Sequence, residues 1–351
     1  MNKIANLAKY ILPKKKANPD DFSDDYEKVK NLGKGASGIV DLVTSRKDHN
    51  LYAMKMIPMF HFDEFKKRAT ENEINLLKVL DSPYIVKYFE HFVNNGNMYI
   101  IMEYCEGQTI DDKIQALKIE GRRFNNNLVK DWIAQSVLAM MCIHSKNVLH
   151  RDLKLQNMFL TKENILKLGD FGVARELQVQ DFATTICGTP YYMAPEVSRG
   201  QQYAQKADIW ALGCALYELV NFELPFCSET LPDLFDHIQN KTPNPIDGDY
   251  DEETKEIIFS MLSKDPKQRP SIFELFQVDF IYERVRTWCL KDERVKAYVE
   301  EMVNVNKPGQ KKAKPDASAI SKKATVQLSN DENPNYYAEN PNILISKVLQ
   351  H

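Results

Sequence analysis

The chain has 351 residues, is 43% hydrophobic and 27% charged, and carries a net charge of −3. That balance suits a soluble globular protein with one large domain and tails. It offers no global basic field for nucleic acid, and no apolar run long enough to span a bilayer.

Residues 1–25 read as an N-terminal extension. Ile4, Leu7, Tyr10 and Ile11 precede Lys14, Lys15 and Lys16, which suits either a frayed terminus or a basic amphipathic stretch against a membrane or partner. No signal-peptide core is expected in residues 1–20, and Asn2 excludes N-myristoylation. From Tyr26, residues 26–33, 38–45 and 51–57 read as short strands joined by polar turns. Residues 64–80 carry Ile74, Leu77 and Leu80 at helical spacing. Two more strands, 87–92 and 97–104, flank Asn94-Asn95-Gly96-Asn97. The first lobe, about 26–103, is therefore five strands and one helix.

From about 106 to 280 the texture is mostly helical, with strong periodicity over 127–146, 205–221, 252–263 and 270–279, and with Pro270 set at a helix start. The fold class is α+β, a small β lobe and a larger helical one. Residues 281–304 read as one more amphipathic helix, with Val285, Trp288, Val295, Val299 and Met302 on or near one face, open to pairing with a second copy or a cytoskeletal partner. Residues 305–351 lack apolar periodicity and read as a disordered tail, in which Lys311-Lys312-Ala313-Lys314 suits a solvated linker or a nuclear-import patch. The six cysteines, Cys105, Cys142, Cys187, Cys214, Cys227 and Cys289, show no CxxC pair and are expected as reduced thiols in the cytoplasm or nucleus.

The chemistry concentrates in spaced motifs. Leu32-Gly33-Lys34-Gly35-Ala36-Ser37-Gly38-Ile39-Val40 puts glycines where backbone must approach phosphate oxygens. Both flanks read as strands, so a hairpin over nucleotide phosphates fits better than a dinucleotide fold. On the next strand Ala53-Met54-Lys55 supplies a cation for the α- and β-phosphates, and Glu73, rather than Glu71 on another helical face, is the carboxylate to hold it. His150-Arg151-Asp152-Leu153-Lys154-Leu155-Gln156-Asn157 is the most specific segment. Asp152 can accept the proton of an attacking hydroxyl, Lys154 can neutralise a transferring phosphoryl group, and Asn157 can hold Mg²⁺. In Asp170-Phe171-Gly172, Asp170 would chelate Mg²⁺, Phe171 would pack beneath the first-lobe helix, and Gly172 would permit the turn. Glu196 is expected to pair with Arg269 as a buried ion pair, and Asp208 to bind the backbone of the Asp152 loop.

The order and spacing of these motifs over about 26–280 resemble the eukaryotic protein kinases. Lys154, with Gly188-Thr189-Pro190-Tyr191-Tyr192, resembles the serine/threonine branch. A finer match is to the NIMA-related (NEK) kinases, through Gln156-Asn157-Met158-Phe159-Leu160-Thr161-Lys162, Asp208-Ile209-Trp210-Ala211-Leu212-Gly213-Cys214 and Tyr104-Cys105-Glu106-Gly107. The resemblance implies ATP and Mg²⁺ as cofactors and protein substrates with Ser or Thr acceptors. It implies Met102 as gatekeeper, Glu103 and Cys105 as backbone partners of adenine, and Phe159 beneath the ring. It also implies that Thr189 contacts Asp152 and Lys154, and that Arg151 meets a phosphorylated Thr185, with Thr184 the neighbouring candidate. Ser37, Leu155 and Thr109 depart from the family pattern without removing a catalytic group. The rival reading is a pseudokinase-type scaffold, which usually needs a lesion at Lys55, Asp152, Asn157 or Asp170; all four are present. Roles in cell-cycle, microtubule or ciliary control, and a cytoplasmic, cytoskeletal or nuclear location, follow from the resemblance alone.

Overall fold

Apolar–polar alternation lays five strands into one antiparallel sheet: β1 (Tyr26–Gly35), β2 (Gly38–Ser45), β3 (Leu51–Pro58), β4 (Tyr88–Asn94) and β5 (Asn97–Glu103), in the order β1-β2-β3-β5-β4. The computed structural model describes residues 25–35, 38–60, 62–63, 70–71, 74–75, 77–170 and 190–305. Among these, residues between 25 and 79 together with 86–106 form one compact unit, and 80–85, 107–170 and 190–305 form another.

In the sheet unit, Asn95 (φ 48°) and Gly96 (φ 73°) both adopt left-handed backbone, so a two-residue turn joins β4 to β5 with Asn94 opposite Asn97. The left-handed backbone favours glycine at 96, where a Cβ would also push the exposed Phe60 ring, 2.7 Å away, aside. Each face of the sheet has its own core. Val43, Met54, Tyr99 and Ile101 pack on one face beneath Tyr26, Tyr52, Met56 and Phe92. Ile57, Met98 and Ile100 pack on the other against Ile74. The described residues of the predicted 64–80 helix that reach from Thr70 to Val79 are helical, and Ile74 is its buried anchor.

The second unit is mostly helical: α1 (Ile110–Glu120), α2 (Asn126–Ser145), α3 (Pro195–Ser198), α4 (Gln205–Asn221), α5 (Leu231–Asn240), α6 (Glu252–Met261), α7 (Ile272–Phe276), α8 (Asp279–Lys291) and α9 (Glu293–Val305). A short hairpin, β6 (Met158–Leu160) and β7 (Leu166–Leu168), lies between α2 and α3 in sequence. α2 and α4 are apolar on nearly every face and form the buried centre. Polar caps set the helix starts: Thr109 with Asp112, and Ser271 with Glu274, form reciprocal capping boxes, and Asp251 accepts from Thr254 N–H at 3.0 Å.

Two expectations need correction. Pro270 is not the first residue of a helix; it precedes Ser271, whose hydroxyl caps α7. The stretch read as one helix over 281–304 is two helices, broken at Asp292, whose carboxylate binds Arg294 N–H at 2.9 Å and the Arg294 guanidinium at 3.0 Å. Their apolar residues Val285, Cys289, Val295, Tyr298, Val299 and Met302 are buried within this unit, so that face is already covered in the single chain. Cys105, Cys142, Cys214, Cys227 and Cys289 are free thiols. Residues 1–24 of the N-terminal extension, Ser37, Glu73, residues 171–189 and the tail from 306 lie outside the described residues.

Candidate active site

Strand pairing decides which side chains share a face. Val40 pairs with Lys55, Lys55 with Ile100, and Ala53 with Met102. Val40, Ala53, Lys55 and Met102 therefore stand on the sheet face that carries Ile57, Met98 and Ile100. Lys55 is only 5% exposed, a position that lysine occupies in proteins almost solely when paired. Glu73, its expected partner, is outside the described residues.

Gly33, Lys34 and Gly35 end β1, and Gly35 pairs with Gly38 at the start of β2. Gly38 has φ +135°, and a Cβ there would lie 2.1 Å from the Met56 carbonyl oxygen, so the strand pair itself demands glycine. Among the described residues a Cβ on Gly33 would meet nothing within 4 Å. Packing among those residues therefore does not explain glycine at that position, and the open backbone suits a group brought in from outside. Leu32 sits in the register irregularity between Asn31 and Gly33 and is 38% exposed. At the end of β5, Glu103 N–H donates to the Lys87 carbonyl at 2.8 Å, and just past it Cys105 is buried.

In the helical unit the polar residues converge directly. The Asp152 carboxylate accepts from Asn157 Nδ2 at 2.9 Å and pairs with Lys154 Nζ at 2.9 Å. Asn157 Nδ2 also donates to the Asp152 carbonyl at 2.7 Å. Leu155, fully buried, roots the turn that carries Asn157, so this departure from the family pattern is a core residue. Gly169 N–H donates to the Asn157 carbonyl at 3.0 Å, tying the residue before Asp170 to the same turn. With its amide nitrogen committed to Asp152, Asn157 has its amide oxygen to offer a cation. That amide oxygen and the Asp170 carboxylate are hard donors of the type Mg²⁺ takes when nucleotide phosphates complete its shell.

Arg151 (φ 65°) and Asp170 (φ 51°) adopt left-handed backbone that costs about 1–3 kcal/mol each and persists only where surroundings over-determine it. For Arg151 the determinant is Asp208, which is fully buried at the start of α4. Asp208 accepts from the N–H groups of His150 and Arg151, both at 3.0 Å, from His144 Nε2 at 3.0 Å and from the Tyr203 hydroxyl at 2.7 Å. Burial pushes its carboxyl upward, but the His144 hydrogen bond, the charges of His144 and His150 and the Arg151 N–H outweigh burial and hold it below the usual range. His150 is fully buried, and burial lowers its pKa. Farther along, Arg269 makes a bidentate pair with Glu196 at 2.9 and 3.1 Å and donates from Nε to the Ser263 carbonyl at 3.1 Å.

The family described as "Protein kinase domain" matches residues 26–281. Among curated proteins, the chain is 41% identical to "Serine/threonine-protein kinase Nek8" of Danio rerio over 72% of this chain and 36% of that protein. It is 39% identical to "Probable serine/threonine-protein kinase nek3" of Dictyostelium discoideum over 74% of this chain and 23% of that one. It is 32% identical to "Serine/threonine-protein kinase nekl-2" of Caenorhabditis elegans over 89% of this chain and 87% of that one. The chain belongs to the protein kinase family, among the Nek-type serine/threonine kinases. It spans 23% and 36% of the lengths of nek3 and Nek8.

Within this kinase domain, Phe171, Gly172, Thr184, Thr185 and Thr189 lie outside the described residues, as do Ala36 and Ser37. Phe159 is half-buried on β6 and bridges to Thr109. The Thr109 hydroxyl accepts from Asp112 N–H at 3.1 Å and donates to the Asp112 carboxylate at 2.7 Å, so this departure serves as a helix cap. Sequence reasoning missed three supporting groups of the kinase domain. His144 and Tyr203 both hold Asp208, and Tyr192 donates to half-buried Glu218 of α4. A histidine inside the apolar run of α2 was the available signal for His144, because a buried imidazole needs a partner. The Tyr192 and Glu218 contact joins distant positions and carries no such local mark.

Proposed function

We propose that this chain is an active serine/threonine protein kinase that transfers the γ-phosphoryl group of ATP to protein hydroxyls with Mg²⁺. The observation that carries the proposal is the joint grip on Asp152 by Lys154 and Asn157, next to backbone fixed by Asp208. Bound Mg²⁺ would offset triphosphate charge and orient its terminal phosphate. The chain's own residues supply the remainder. Asp152, its carboxylate aimed by Asn157 and Lys154, takes the proton as the acceptor oxygen bonds to phosphorus. The bond from that phosphorus to the β,γ-bridging oxygen breaks, and ADP departs with the electron pair. Lys154 stands beside Asp152 to neutralise the phosphoryl oxygens, and Lys55 on the sheet meets the α- and β-phosphates. Asn157 and Asp170 would hold the metal. Leu32, Gly33, Lys34, Gly35, Gly38, Val40, Ala53, Met102, Glu103, Cys105 and Phe159 would form the nucleotide's surroundings.

On the same reading, phosphorylation of Thr185 would meet Arg151 and raise activity. The basic residues near the N-terminus and at 311–314 support association with cytoplasmic, cytoskeletal or nuclear partners, which stays an inference from charge. The deciding experiment is phosphate transfer from Mg·ATP to a peptide array by the purified chain and by Asp152→Asn. Transfer to serine or threonine peptides that Asp152→Asn loses by at least about a hundredfold is expected. Equal labelling by both proteins, or none by a Thr185-phosphorylated preparation, sinks the proposal in favour of a scaffold.

A further inference from the structure

Asp170 follows β7 by two residues, and β7 is held in place by a segment with little regular structure of its own. Leu168 N–H donates to the Tyr84 carbonyl at 2.9 Å, and Ile85 forms a parallel bridge with Leu168. Residues 80–85 contain neither helix nor extended strand. Their placement comes from side chains. Tyr84 N–H donates to Ser82 Oγ at 3.2 Å, and Cys142 of α2 reaches the Asp81 carbonyl at 3.8 Å. The Tyr84 ring lies 6.1 Å from Trp288 of α8 and 6.4 Å, near edge-on, from Tyr298 of α9.

Tyr298 joins these parts. It is 6% exposed, and its hydroxyl donates to the Leu138 carbonyl of α2 at 2.6 Å, which holds its ring against Tyr84. One turn later, Met302 meets Ser145 Oγ at 3.7 Å, which fixes α9 along α2. We infer that Tyr298 is a positioning residue for Asp170: anchored on the Leu138 carbonyl and with its ring against Tyr84, it sets the line of β7, and α9 is thereby a working part of the catalytic unit. The inference rests on reading Asp170 as a metal-binding residue.

Tyr298→Phe keeps the ring and deletes the hydroxyl. In the full chain, amide hydrogen exchange at Leu168 and Gly169 is expected to speed up by about fivefold, the ratio an ordinary buried hydrogen bond corresponds to, while β3 amides are unchanged. ADP affinity measured by calorimetry with Mg²⁺ is expected to fall by about threefold or more, with ADP affinity in EDTA and the peptide KM unmoved. Leu290→Ser, at a position 70% exposed on α8, is expected to alter none of these. Unchanged exchange at Leu168 and Gly169 overturns the inference. So does faster exchange without a change in the Mg²⁺-dependent affinity, which would make Tyr298 a packing residue only, and so does an equal response to Leu290→Ser. If the unaltered chain binds ADP alike in Mg²⁺ and EDTA, the reading of Asp170 fails instead, and unchanged transfer by Asp152→Asn would fail the kinase proposal separately.

Discussion

In the sheet unit, Lys55 stands where ladder pairing puts it. Val40 and Ile100 fix its register from two sides, and a slip of one residue would turn it to the opposite face. In the helical unit no ladder holds Asp152, and its neighbour Arg151 is in left-handed backbone. There a buried carboxylate does the fixing, with Asp208 collecting four donors from α2, the Asp152 loop and Tyr203. The contrast teaches that the two halves should fail differently. Loss of packing in the sheet should cost stability broadly, whereas loss of one polar anchor in the helical unit should damage catalysis beyond its cost in stability.

The largest expected effect tests the polar side of that contrast. Asp208→Ala strands four buried or half-buried donors and is expected to cost about 3–5 kcal/mol in urea unfolding. Below its unfolding range, kcat should still fall by about a hundredfold or more, since displaced groups of that loop forfeit orientation. A variant as unstable as expected but with normal kcat would erase the distinction between the units. Met54→Ala tests the apolar side. Met54 is 1% exposed in the core of Val43, Tyr99 and Ile101, away from the face that bears Lys55. A loss of about 2–4 kcal/mol is expected, with kcat close to the parent value where both proteins are folded.

Gly38→Ala sharpens the comparison within the sheet itself. The added methyl would meet the Met56 carbonyl at 2.1 Å from a backbone at φ +135°. A cost of about 1–3 kcal/mol is expected, with the ATP KM raised and the peptide KM unchanged. An unaltered ATP KM would separate this hairpin from the nucleotide.

The two regions were also unequally legible in the sequence. Alternating strands around Asn95-Gly96 announced the sheet because its periodicity and turn chemistry are local. The motifs at Asp152 and Asp170 were legible through spacing, as was Asp208 holding the backbone of the Asp152 loop, but the His144 and Tyr203 donors that complete that anchor were not. His144 and Asp208 are 64 residues apart, and only the packing of α2 against α4 makes them partners. α1 escaped notice because just Ile110 and Ile114 of its 11 residues are buried, too few for an apolar stripe. The break between α8 and α9 was hidden because apolar residues continue on both sides of it. Asp292 ends the run by binding Arg294 locally, in competition with helical hydrogen bonding.

The smallest effect concerns acid. His150 is fully buried, and burial depresses its pKa although the charges of Asp208, Asp152 and Asp170 oppose that shift. Above the unfolded value of about 6.5 both states are neutral there and the full stability is present. As the pH falls below that value the unfolded chain binds a proton that the folded chain refuses, so stability drops until the folded pKa is reached. Asp208 has the same sign but acts lower, since its contribution is present above about 3.9 and is lost as the pH falls through its depressed folded pKa. His91, in the sheet unit, is also lowered by burial and titrates in the upper window. His150→Gln should therefore make the unfolding free energy from urea titration less sensitive to pH between pH 7 and pH 5.5, by at most about 1 kcal/mol, with the remaining slope reduced by His91→Gln. Parallel pH curves for His150→Gln and the parent would mean that His150 binds its proton alike in the folded and unfolded chain, so that its burial carries no pH dependence.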